Sequence, residues 1–267
     1  MEKLSISITE LVVLAGLVSK KYFYGISDPF FGMTPDEILV ASESAKTLLD
    51  KKGLISYNFD GTVEITDNGK EIIDRTLEAN AYLFFDGLID GEQQDRVLYY
   101  KKASKETLCK YKGMDIDIEE STMENCISVI DKLSFANNTS SKKSDKSFIC
   151  KIDVLKEISE LIEEQKEEMS LGELKELCLK KLSSFNIDSD VKESIVDGLF
   201  KNCNYLSLMA GGVKERNLKS TQFVITPNKI LCMQTLNNIE NEVSFKLVDK
   251  DEVKTMINGI MKSLEVS

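Results

Sequence analysis

Of the side chains that most often move protons or hold metals, this sequence has no histidine at all. That removes the commonest general base and every Ser-His or Cys-His nucleophile pair, leaving only carboxylate, lysine, tyrosine or cysteine chemistry. The six cysteines, Cys109, Cys126, Cys150, Cys178, Cys203 and Cys232, lie far apart with no CxxC pair. Without paired thiols or imidazoles they make no zinc site, and they read as small buried hydrophobes. Glu163, Glu164, Glu167 and Glu168 are a dense carboxylate cluster, but no separate ligand set accompanies them, so they read as a solvated helix face. Ala210-Gly211-Gly212 reads as a turn or a bulge, because neither GK[ST] nor the GxGxxG spacing of a phosphate loop is present. The residues therefore nominate no catalytic, metal or cofactor-binding site. The expectation is a protein that binds rather than one that catalyses.

The charge balance narrows what it binds. Forty-five acidic against 34 basic residues give a net charge of -11, which argues against a broad surface for phosphate backbones and favours a basic partner. No apolar run reaches the roughly 18 to 20 residues of a membrane span, and the N-terminus lacks the basic and apolar regions of a signal peptide. The expectation is a cytoplasmic protein with no membrane insertion. A hydrophobic fraction of 42% over 267 residues is enough for a substantial core in one large domain or two ordinary ones.

The elements that would carry a binding surface occur twice. Residues 81 to 133 read as several short strands followed by one helix, and residues 204 to 264 read the same way. Tyr82-Leu83-Phe84 answers Tyr205-Leu206-Ser207, Val97-Leu98-Tyr99 answers Phe223-Val224-Ile225, and Ile116-Asp117-Ile118 answers Phe245-Lys246-Leu247. A lone strand unit would expose its edges and one face, so the two are expected to pair into one central antiparallel sheet with an approximate two-fold axis.

Before each unit lies a helical module. ISITELVVLAGLVSKKYF places Leu11, Leu14, Ala15 and Val18 on one helical face, with Thr9 as its cap, and Phe30 and Phe31 pin the following loop. Thr34, Pro35 and Glu37 form a capping box and start a second helix that stops at Gly53. LISYNFDGTVEIT reads as two strands joined at Asp60-Gly61, and NGKEIIDRTLEA returns to helix. Helices, a two-stranded wing and a helix are the order of a winged-helix module. Its reading helix near residues 41 to 52 offers Lys46, Lys51 and Lys52 against Glu43 and Asp50 and has no arginine, so tight sequence-specific DNA binding is not expected. In the second half, Ile152, Leu155, Ile158 and Ile162 form one stripe and Leu174, Leu177, Cys178 and Leu182 another behind a Ser170–Glu173 capping box. A third helix begins near Asp190. Asp249 with Glu252 caps the last helix, whose buried side is Val253, Met256, Ile257 and Ile260.

This duplicated layout with its winged-helix-like start resembles the EspG family of type VII secretion chaperones, together with the EsaE-type accessory proteins of Firmicutes. The resemblance implies an α+β fold of two pseudo-symmetric halves. The first half spans residues 1–133, with a winged-helix-like module 1–80 and a strand unit with helix 81–133. A linker 134–147 follows, then a second half 148–267 with a helical bundle 148–202 and a strand unit with terminal helix 203–267. It implies a cytosolic, non-enzymatic chaperone without cofactors that grips a secreted helical-hairpin substrate, with the secretion ATPase as a second candidate partner. In that family the grip involves the sheet, a loop between early strands and the later bundle. Here the loop is matched by Lys101, Lys102 and Lys105, the bundle by Leu171 and Leu174, and the second strand unit by Met209, Phe223 and Met233. A winged-helix transcriptional regulator, or another protein-interaction module, is the alternative. An enzyme would need a pocket of converging Asp, Glu, Lys or Tyr groups.

Overall fold

A computed structural model describes residues 3–19, 26–89, 92–93, 96–134, 143–144, 147–200, 204–212, 219–226, 228–236 and 241–265. The first half runs β1 (Leu4–Ser7), α1 (Ile8–Leu17), α2 (Pro35–Lys51), β2 (Ile55–Tyr57), β3 (Val63–Ile65), α3 (Asp67–Thr76), β4 (Ala81–Ile89), β5 (Glu92–Gln93), β6 (Val97–Lys102), β7 (Lys105–Lys112), β8 (Asp115–Glu120) and α4 (Met123–Ser134). The second runs β9 (Phe148–Lys151), α5 (Ile152–Gln165), α6 (Leu171–Leu182), α7 (Ser189–Leu199), β10 (Asn204–Gly212), β11 (Lys219–Ile225), β12 (Ile230–Thr235), β13 (Glu242–Val248) and α8 (Lys250–Glu265).

Both strand units enter one antiparallel sheet in the order β1-β8-β7-β6-β4-β10-β11-β12-β13-β9, with β5 paired to β4 off that path. The order reads the same from either end once each strand is replaced by its counterpart. At the centre β4 and β10 run antiparallel from Ala81 opposite Gly212 to Leu88 opposite Tyr205, and Phe85 faces Leu208, the middle residue of each nine-residue strand. An approximate two-fold axis passes there. Residues equated from sequence share a face in the structure: Val97 and Tyr99, like Phe223 and Ile225, face one side, while Ile116 and Ile118, like Phe245 and Leu247, face the other.

Three layers follow from this alternation. Helices α4 and α8 cover one face, where Leu83, Phe85, Tyr99, Leu208 and Phe223 meet Ile130 and the Val253, Ile257, Met261 stripe. On the opposite face α1 to α3 and the small β2–β3 sheet cover the β1 to β4 end, and α5 to α7 cover the β11 to β9 end. The two helical modules are therefore counterparts as well, and only the first carries a wing.

Several sequence expectations are corrected here. The first helix begins two residues earlier than Thr9 as cap allows: Ser7 is the cap and Glu10 closes a capping box, while residues 4–7 form an edge strand paired to β8. Residues 148–151 likewise form the opposite edge strand, which runs directly into α5. Ala210-Gly211-Gly212 is regular strand, not a turn or bulge, and the glycine is needed because a Cβ on Gly211 would lie 2.5 Å from the Tyr82 hydroxyl oxygen across the ladder. The Thr34 and Ser170 capping boxes, the stop at Gly53 with φ +67° and the Asp249 cap are as expected. Pro227, Cys203 and most of the 134–147 linker lie outside the described residues, but Ser144 exchanges hydrogen bonds with the Leu247 backbone beyond the end of β9.

The module around α1 contains one buried carboxylate. Glu10 is 2% exposed, caps its own helix, and receives Lys52 Nζ at 2.7 Å from the end of α2. Glu10→Ala removes the acceptor of the Ser7 amide and the partner of the half-buried Lys52, so it is expected to lower the unfolding free energy by about 1 to 2 kcal/mol in urea denaturation. At the neighbouring sheet edge Lys3 and then Lys112, at 2.9 and 3.0 Å, hold the Asp117 carboxyl far below its ordinary value of 3.8. A depressed folded value means that the stabilisation is complete above the ordinary value and is lost as pH falls through the folded one. Acidification from about pH 5 to about pH 3 is therefore expected to destabilise the native protein more than Asp117→Asn, as read by the thermal midpoint of each.

Candidate partner-binding surface

Strand β10 shows where the sheet is left open. Its residues alternate in burial: Leu206, Leu208 and Ala210 are buried under α4 and α8, whereas Ser207 and Met209 between them are only partly covered. The register continues this strip. Ser207 lies between Asp86 on β4 and Gln222 on β11, Gln222 lies opposite Met233 on β12, and Met209 lies opposite Ser220. All of these side chains are partly exposed and sit on the face carrying the two helical modules. Met209 packs against the first module and Met233 against the second, so the strip is a partly exposed floor between them.

The chemistry of this floor is that of adaptable recognition. Two methionines supply flexible, polarisable contact, Ser207, Ser220 and Gln222 supply hydrogen-bonding groups, and Asp86 with Arg96 at 3.6 Å supplies a charged rim. Nothing in it is arranged for proton transfer. The five described cysteines are buried and unbridged, and burial pushes Cys126 and Cys232 up to about 12 and Cys150 up to about 11, so none is a thiolate at neutral pH. Among the described residues no group of three His, Cys, Asp or Glu side chains could hold a metal ion, and no helix is long and apolar enough to cross a membrane.

The residues nominated from sequence divide in three. Met209 and Met233 lie on the strip. Phe223 does not: it is fully buried on the opposite face beneath α4 and α8, because it is one residue out of step with Gln222. Leu174 is likewise core of the second bundle, while Leu171, at the first position of α6, is exposed. The three lysines surround the tight β6–β7 turn but are engaged within the chain. Lys102 pairs with Asp74 and with Glu78 at 3.0 Å, Lys105 with Asp74 at 2.8 Å, and Lys101 with Glu106 at 3.3 Å. Lys102 and Lys105 together hold the Asp74 carboxyl below its ordinary range. These contacts tie α3 to the hairpin, so a charge reversal at Lys102 acts on local stability as well as on any approaching charge.

Sequence reasoning missed Ser207, Ser220 and Gln222, although a signal existed. In Leu206-Ser207-Leu208 and Thr221-Gln222-Phe223 a polar residue interrupts an apolar strand, which is the mark of a face not fully buried.

One duplicated antiparallel sheet between helical layers, with a winged-helix-like module on one half, has a counterpart among solved structures. Among solved structures, the chain is similar to the Mycobacterium tuberculosis type VII secretion system chaperone EspG5, solved in complex with a PE25–PPE41 dimer, with a TM-score of 0.61 and 8% identity over 97% of this chain and 95% of that one. At that identity the likeness is one of fold, and the chain has an EspG-like fold. No protein-family profile and no curated protein matches the sequence.

Proposed function

We propose that this protein is a cytoplasmic chaperone or adaptor of a type VII secretion system. It binds a secreted helical-hairpin protein, covers its aggregation-prone tip and keeps it soluble for export. The observation that carries this reading is the partly exposed strip from Asp86 to Met233, set between two helical modules in a fold shared along nearly its whole length with a chaperone solved with its partner bound. A helical tip laid on this floor would bury Met209 and Met233, meet polar groups on the strands between them and be flanked by the helical modules, which is the apolar centre and polar rim of a specific interface. The secretion ATPase enters the same reading as a later partner, receiving the loaded complex.

The winged-helix regulator is the weaker reading. Helix α2, which precedes the wing as a reading helix does, exposes Asp36, Glu37, Glu43 and Asp50, and duplex DNA repels such a face.

Co-expression with the helical-hairpin proteins encoded beside its gene tests the proposal. One of them is expected to co-purify and to run as a defined complex by light scattering. Failure of every such protein to co-purify would overturn the reading.

A further inference from the structure

Helix α2 is only half supported by the fold. It packs chiefly on α1 and on the wing strand β2, its buried residues are Ala45 and Leu49, and nothing before Ala45 is buried. Its first turns are held instead by local devices: proline at the start and the Thr34–Glu37 capping box. Yet these turns and the loop before them are apolar. Phe31, expected to pin this loop together with Phe30, is instead 91% exposed, and Val40 is 67%, Leu39 61% and Met33 43% exposed, all within ten residues. The counterpart helix α6 buries Leu174 in its own first turn, so the bare start of α2 is not a requirement of the fold.

The charges carried by this stretch of chain itself have one sign. From Ile26 to Ala45 there are four carboxylates, Asp28, Asp36, Glu37 and Glu43, and no lysine or arginine. All four are exposed. Among the described residues, the ion pair made by these four is that of Glu43 with Lys46 at 2.7 Å. Acidic groups here exclude a nucleic-acid backbone and an anionic bilayer as occupants, and they complement an apolar surface edged with lysine or arginine.

We propose that the exposed start of α2, with Phe31, Met33, Leu39 and Val40, is a second docking surface, and that its occupant is a cationic amphipathic helix of a partner protein. The apolar side chains supply the contact area and the carboxylates select for basic residues at its edge. The surface is separate from the sheet floor, because α2 forms the outer layer of its module. The proposal does not depend on the chaperone reading.

The test uses the full chain and a fluorescein-labelled helical peptide with leucine on one face and lysine at its borders, beside a peptide in which glutamate replaces each lysine. The lysine peptide is expected to bind in a salt-sensitive manner and the glutamate peptide not to bind. Leu39→Ser with Val40→Ser is expected to weaken binding about tenfold or more, and Asp36→Asn with Glu43→Gln to weaken it about threefold, with thermal midpoints unchanged because these side chains are exposed. Lysine-peptide affinity that is indifferent to Leu39→Ser and Val40→Ser would overturn the proposal, since the peptide would then be sampling the acidic surface generally. So would binding of duplex DNA or of phosphatidylglycerol vesicles that the same substitutions abolish. A concentration-dependent dimer of the unmodified chain lost in the double serine variant would replace the partner helix by a second copy, and would overturn it too.

Discussion

Leu208→Asp is expected to yield no cooperatively folding protein, while Ser207→Ala, one residue away on the same strand, changes stability by less than about 0.5 kcal/mol. Leu208 is fully buried, faces Phe85 beside the pseudo-two-fold axis, and lies beneath the paired helices α4 and α8. A carboxylate there has no partner and no water, and the strand it would distort joins the two halves. The milder Leu208→Ala removes the contacts without adding charge and is expected to cost about 3 kcal/mol. Urea unfolding followed by circular dichroism reads all three. A stable Leu208→Asp protein would mean that the β4–β10 junction is not the core of the molecule.

Gly69→Ala is the second change with a large expected effect, although it adds one methyl group. A Cβ at Gly69 would lie 2.2 Å from the Leu54 carbonyl oxygen and 2.7 Å from Ile65 Cγ2. The same Leu54 carbonyl accepts the Thr66 amide, and Thr66 caps α3 by accepting the Gly69 amide. Backbone cannot yield as a flexible side chain does, so the wing and α3 must separate, at about 3 kcal/mol. Gly259→Ala on α8 is the control: its Cβ would meet open space, and a helix-interior glycine replaced by alanine gains about 0.5 to 1 kcal/mol. Equal thermal midpoints for the two variants would contradict this packing of the wing.

Why some of this was legible in the sequence and some was not has a physical basis. The duplicated strand units were readable because turn residues separate their strands and because alternation fixes which side each residue faces. Asp249 and Ser170 were readable as caps because capping is local. Strands β1 and β9 were not, since each has only four residues and runs directly into a helix with no turn between. Their pairing to β8 and β13 is a tertiary fact. Of the candidate residues on the second strand unit, Met209 and Met233 lie on the partly exposed face, but Phe223, named through the resemblance, is one residue out of step with Gln222 and lies in the core. Lys102 and Lys105 carry no sequence mark of their partners, because Asp74 on α3 and Glu78 just after it lie roughly 30 residues earlier in the chain. Nor does a hydrophobic stripe reveal that the start of α2 faces outward.

The most direct measurement of the central claim is calorimetric titration of the co-purifying helical-hairpin partner into this protein and into its Met209→Glu, Met233→Glu double variant. Both methionines are partly exposed on the same face, so the variant is expected to fold, with a lowered thermal midpoint because each also packs against a helical module. The account predicts a one-to-one complex with the native protein and a loss of affinity of about a hundredfold or more in the variant, because two charges would be placed at the apolar centre of the interface. A complex of unchanged affinity in a folded double variant would contradict it and move the binding site off the sheet.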